Sequence, residues 1–186
     1  MADAKDSFRM EPKSSTTSTS QKHHRTFLMV QNILRILVIV LTAVSIVVTV
    51  TNNQSVMLFS IRFEAHFYYT SSFKFFVAAN GVVCFMSVLT LIFNLLMRQQ
   101  TPQRKDYYFL LFLVDLVMTV LLIAGCSAAT AVGYVGQYGE KHVGWTAICD
   151  HVQKFCKTNL ISLLLSYLAF FANLGLTILI AYKFTS

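Results

Sequence analysis

Charged residues are absent from four long stretches of the chain: between Arg35 and Arg62, Lys74 and Arg98, Asp115 and Glu140, and Lys157 and Lys183. Each exceeds the roughly 20 apolar residues that cross a bilayer. The pattern predicts four spans, near residues 27–50, 75–96, 107–131 and 160–181. Each must be an α-helix, because four long apolar runs cannot close a barrel and no other form satisfies its backbone hydrogen bonds in lipid. The predicted class is an all-α membrane protein, a four-transmembrane-helix bundle. The first run exceeds the 7–15-residue core of a signal peptide and lacks a convincing cleavage site, so it is expected to stay as a helix.

Between the first two spans the pattern changes. Met57, Phe59, Ile61, Phe63, Ala65 and Phe67 alternate with Val56, Leu58, Ser60, Arg62, Glu64 and His66, the period of a strand. Val143, Trp145 and Ala147 alternate between spans three and four and offer a partner strand. A small extracellular β element between the two loops is the expectation; the alternative is an irregular aromatic loop resting on the headgroups. Residues 1–25 read as a disordered cytosolic tail, most clearly at Ser14–Ser20, and residues 26–186 as the membrane domain.

Composition agrees with this division. Of 186 residues 55% are hydrophobic and 12% are charged, half the level of a soluble domain, which excludes an ordinary soluble enzyme. The bases set the orientation. Lys5, Arg9, Lys13, Lys22, Arg25, Arg98, Arg104, Lys105 and Lys183 lie on one side, against Arg62, Lys74, Lys141, Lys154 and Lys157 on the other. Basic flanks stay in the cytoplasm, so both termini are expected inside. The net charge of +7 comes from these scattered flanks, so no nucleic-acid partner is expected.

Two formal charges fall inside the predicted spans, Arg35 and Asp115. Each lies eight residues past the start of its helix, about 12 Å into the membrane from the same face. Intramembrane charge costs about 2.5–3.5 kcal/mol on insertion scales, so a structural ion pair between spans one and three is the economical reading. Snorkelling is the alternative for Arg35; Asp115 is too short for it. Gly125, Ala129 and Gly133 recur every four residues in span three and form a helix-packing face, within the chain or between copies. Cys149 and Cys156 share the second outer loop, an oxidising location, and are expected to form a disulfide. His142 and His151 lie nearby, but neither spacing fits a common zinc pattern, so no metal is expected. Asn53 heads a glycosylation sequon that falls too near the membrane to be used efficiently. No catalytic motif and no cofactor signature is present, so the chain is not read as an enzyme.

The residues just named, together with Tyr69, Thr70, Ser71, Ser72, Phe73, Lys74, Phe75 and Asn80 at the start of span two, and His142, Trp145, Cys149, Phe155 and Cys156 in the second outer loop, carry a resemblance. From about residue 25 onward the chain resembles the plant Casparian-strip membrane-domain-protein-like (CASP-like) family, related to the MARVEL four-span proteins. The first outer loop, with Arg62, Phe63, Glu64, Ala65, His66 and Phe67, is closer to the broad CASP-like group than to the endodermal members. The resemblance implies a multi-pass plasma-membrane protein with cytosolic termini, whose partners are lipids, further copies of itself and related four-span proteins. It also implies a non-enzymatic scaffold that builds a membrane platform, a lateral diffusion barrier or an organiser of local cell-wall modification. A small channel or transporter subunit is the alternative, disfavoured because Asn80, Asn94 and Asn173 are thinly spread for a polar path.

Overall fold

The structure, a computed structural model, describes residues 16–52, 54–58, 61–65, 70–97, 105–139, 142, 144, 147, 149–150 and 152–185. Side chains are described for 26–52, 70–96 and 107–139, for the same loop positions, and for 152–183. Four helices dominate: α1 (Thr16–Thr51), α2 (Ser71–Met97), α3 (Lys105–Tyr138) and α4 (Gln153–Thr185). All four are long and apolar enough to cross a bilayer, over Thr26–Thr51, Ser71–Leu96, Tyr107–Tyr138 and Gln153–Lys183. The protein is therefore a multi-pass membrane protein built on a four-helix bundle.

The helices alternate in direction and pack in a ring, α1 on α2, α2 on α3, α3 on α4 and α4 on α1. The start of α1, the end of α2, the start of α3 and the end of α4 thus share one end of the bundle, here the termini end. The opposite, hairpin end carries strands β1 (Gln54–Leu58) and β2 (Ile61–Ala65) and the segment between α3 and α4.

Which face of each helix turns inward follows a 3–4 spacing. On α1 the buried positions are Gln31, Arg35, Val38, Thr42, Ser45, Thr49 and Asn52. Only one of the seven is apolar. The exposed positions include Ile33, Ile36, Val40, Val44 and Val47. Such a helix is polar inside and apolar outside, as lipid requires: tails are as apolar as leucine, so nothing drives Val or Ile inward, whereas an unpaired hydroxyl or amide must be removed from lipid. The same spacing buries Phe76, Asn80, Val83 and Ser87 on α2, Tyr108, Leu111, Asp115 and Met118 on α3, and Ser162, Ser166, Ala169, Asn173 and Leu176 on α4. An inward repeat near 3.5 residues suits antiparallel bundles, because it keeps one seam facing its neighbours along the full length.

Two expectations are corrected, and a third, the strand character near 56–67, is met with a different partner. Helix α1 begins at Thr16, so residues 16–20 of the Ser/Thr run have helical backbone instead of the expected disorder. Once the span has nucleated a helix, each added residue gains a hydrogen bond without a new nucleus. The alternating stretch near 56–67 is two five-residue strands, paired antiparallel with Gln54 opposite Ala65 and Leu58 opposite Ile61. Pairing within one loop has a small loop-closure cost, and the ladder uses that proximity. Among the described residues no β element joins the two loops: Ala147 is not in a strand, and Val143 and Trp145 lie outside them.

Helix ends are closed locally. The Thr70 carbonyl accepts from the N–H groups of Phe73 and Lys74 and opens α2. Gly139, at φ 70°, donates its N–H to the Val135 carbonyl at 2.8 Å and ends α3 in the left-handed conformation that glycine adopts without a Cβ clash. A disulfide joins Cys149 and Cys156, and the Cys149 N–H bonds the Gly136 carbonyl, tying that segment to the end of α3.

Candidate functional site

The inward seams bring most buried polar groups into a column along the bundle axis. Near the termini end, the Arg35 guanidinium reaches from α1 to Asp115 on α3, helices diagonally opposite in the ring. Nη1 meets Oδ1 at 3.1 Å and Nη2 meets Oδ2 at 2.8 Å, a two-pronged pair with both side chains nearly inaccessible. Arg35 Nη1 also donates to Thr90 Oγ1 of α2 at 2.5 Å. From α4, Asn173 Nδ2 donates to the Asp115 backbone carbonyl at 3.1 Å and to Thr119 Oγ1 at 2.9 Å. All four helices thus converge on one charged layer. Only arginine combines the reach and the planar fork for this crossing.

Beyond it lies an apolar layer. Val38, Val83, Met118 and Leu122 form a buried cluster, one or two from each of α1, α2 and α3, with Phe170 and Ala172 of α4 against it. Next comes a second polar layer, where Ser166 Oγ donates to Asn80 Oδ1 at 2.8 Å and Cys126 Sγ lies 3.3 Å from Ser166 Oγ. Nearest the hairpin end, Ser45 and Ser162 each donate to the other's backbone carbonyl, at 3.0 and 2.8 Å, and Thr49 Oγ1 lies 2.5 Å from Ser162 Oγ. Asn52 closes this end by donating to the Phe155 carbonyl at 2.9 Å. Such reciprocal bonds demand close approach of α1 and α4, which serine allows and a larger residue would prevent.

The packing face expected in α3 divides. Gly125 is a contact point: a Cβ there would meet the Ala79 Cβ at 3.0 Å. Ala129 is buried beside Phe76 and Cys126. Gly133 is exposed, with nothing within 4 Å of an added Cβ, so of the two expected roles it does not take the intrachain one. Neighbouring small residues Ala124, Ser127 and Ala131 are exposed too.

Three buried polar atoms have no hydrogen-bond partner among the described residues: Gln31 Oε1, Arg35 Nε and Asn94 Nδ2. Each such group costs about 1–3 kcal/mol when left unpaired. Asn94 is otherwise engaged, its Oδ1 accepting from the Tyr107 hydroxyl. Among the described residues no three His, Cys, Asp or Glu side chains converge as a metal site would require. Asn53, Tyr69, Trp145 and His151 lie outside the described residues.

A model of the Casparian strip membrane protein domain matches residues 24–172. The chain belongs to that family. Similar CASP-like proteins include CASP-like protein 1F2 of Ricinus communis, 51% identical over 86% of this chain and 79% of the relative. CASP-like protein 1F1 of Vitis vinifera is 46% identical over 86% and 77%, and CASP-like protein 1F3 of Populus trichocarpa is 40% identical over 90% and 86%. No solved structure matches. In this CASP-like chain the stretch that opens α2 has a structural explanation. Thr70 starts the helix, Phe73 packs beside Phe76, and Phe76, Ala79 and Asn80 face the core against α3 and α4. Ser71, Lys74 and Phe75 are exposed, and Ser72 is half-buried.

Sequence reasoning found Arg35, Asp115 and Asn80 but missed the hydroxyl layer and the parts of Gln31, Thr90, Thr119 and Asn173. The signal was present in α1: residues 31, 35, 42, 45, 49 and 52 are all polar and lie 3, 4 or 7 apart.

Proposed function

We propose that this CASP-like protein is a non-enzymatic scaffold that self-associates in the plasma membrane, alone and with related four-span proteins, with both termini cytosolic and the hairpin end outside. On this reading it forms a platform that restricts lateral diffusion or organises local cell-wall modification. The observation that carries the proposal is the lipid-facing surface of α3. Towards the termini end that surface is bulky, with Leu110, Leu113, Val117 and Val120. Further along the same face come Ala124, Ser127 and Ala131, small residues left over after the bundle has formed, before the exposed Tyr134 and Tyr138 close it at the hairpin end. Helices associate in lipid where small residues let backbones approach, and bulky lipid-facing residues oppose it. The column of polar groups favours a scaffold over a channel, because those groups bond helix to helix and Val38, Val83, Met118 and Leu122 interrupt them.

The test is fluorescence recovery of a tagged full chain in plant plasma membrane, paired with co-purification of two differently tagged copies. Slow recovery in a bounded zone and co-purification support the scaffold, and Ala124→Leu with Ala131→Leu should weaken both while leaving surface delivery intact. Fast uniform recovery with no co-purification would remove it. A reporter inserted near residue 137 should be extracellular and one on either terminus cytosolic, as the distribution of bases requires.

A further inference from the structure

The three unpartnered atoms are not scattered. Gln31 lies four residues before Arg35 on α1, and Asn94 four residues after Thr90 on α2, so each shares a helix face with a member of the charged layer and lies one turn nearer the termini end. Those two faces meet, because Arg35 Nη1 bonds Thr90 Oγ1 at 2.5 Å. The Tyr107 hydroxyl, reaching from α3 to Asn94 Oδ1, closes the third side. Gln31 is 2% exposed and Arg35 1% exposed, so neither reaches bulk solvent. The chemistry is complementary: Arg35 Nε and Asn94 Nδ2 each bring a spare N–H, and Gln31 Oε1 brings a spare acceptor.

We infer that α1, α2 and α3 enclose a bound-water site between Gln31, Arg35 and Asn94, beside the Arg35–Asp115 pair. A water molecule accepts from both N–H groups and donates to the Gln31 carbonyl, giving the three hydrogen bonds typical of buried water. An anion is the wrong occupant, since Asp115 already neutralises the guanidinium and Gln31 presents an acceptor. A cation is equally disfavoured by two converging N–H groups. The site gives Gln31 and Asn94 a reason to be polar: they hold the water that solvates Nε, the one guanidinium nitrogen that bonds neither Asp115 nor Thr90. It also makes the charged layer the hydrated layer of the column, in contrast to the Asn80–Ser166 layer, where both Asn80 side-chain atoms are already bonded.

Water-edited solid-state NMR of the isotope-labelled full chain in lipid bilayers tests this. Magnetisation transfer from water to the Arg35 Nε–H should build up several-fold faster than transfer to the Asn80 side-chain amide, which serves as a dry internal reference. In Gln31→Leu with Asn94→Leu the Arg35 transfer should fall to the Asn80 level. Equal, slow build-up at both positions in the unmodified protein would overturn the site, and so would fast transfer that survives the double change. If the double variant does not fold, the comparison within the unmodified protein decides alone.

Discussion

The two ends of the polar column solve one problem with different chemistry. Near the termini end, two charges meet across the diagonal of the ring, with partners from all four helices. Near the hairpin end, three hydroxyls on Ser45, Thr49 and Ser162 do the same between adjacent helices α1 and α4. A charge in lipid has few acceptable partners, so its pairing fixes the depth and register of two helices at once. A hydroxyl has a fallback, since it can bond the carbonyl one turn back along its own helix, as Thr49 does with Ser45 at 2.9 Å. The charged layer therefore specifies the arrangement, and the hydroxyl layer follows it, contributing close approach more than selectivity.

The contrast can be broken most severely at Asp115. Asp115→Ala leaves the Arg35 guanidinium buried without its counter-charge, and removing one member of a buried pair costs about 3–5 kcal/mol. Unfolding followed by steric trapping in bicelles should show that loss, and in cells the variant should stay in the endoplasmic reticulum. The exchange Arg35→Asp with Asp115→Arg should recover part of the surface level. A double exchange no better than either single change, with Arg35→Leu delivered normally, would show that the pair does not specify the fold.

A smaller effect is expected at the α2–α3 contact in the hairpin half, where closeness matters more than bonding. Gly125→Leu forces a side chain into a space already limited by the Ala79 Cβ at 3.0 Å and the Phe76 backbone at 3.6 Å. Overpacking of this kind costs about 1–3 kcal/mol. The same measurement should find that loss at residue 125 and little at Gly133, where an added Cβ meets nothing within 4 Å. Equal losses at both positions would mean that Gly125 has no special packing role.

The smallest effect belongs to the hydroxyl layer. Ser162→Ala removes its bonds to the Ser45 carbonyl and the Thr49 hydroxyl, yet keeps the close approach. Hydrogen bonds between helices in lipid average about 0.6 kcal/mol in double-mutant cycles, because the separated helices also find partners. Ser162→Ala should therefore lower stability by about that amount, and Ser162→Leu by considerably more. A loss at Ser162→Ala comparable to that at Asp115→Ala would erase the distinction between the two layers.

The number of spans and their helical state can be read from the chain alone, because lipid leaves an apolar segment of that length no other way to satisfy its backbone. The chain also pointed to a meeting of Arg35 and Asp115, one cation and one anion at matched depth, with snorkelling of Arg35 as the alternative that the observed pair removes. It marked residues 56–67 as extended but not the reversal between Leu58 and Ile61, because alternation is the same in one long strand as in two short paired ones. Tertiary structure alone decided the ring order of the helices, which makes the ion pair diagonal and brings Thr90 and Asn173 to it. It also decided that Gly125 is a contact while Gly133 is free. In water, hydrophobicity tells a helix which face is inside; in lipid both faces can be apolar, so the inward face is chosen by which polar and small groups find each other across helices.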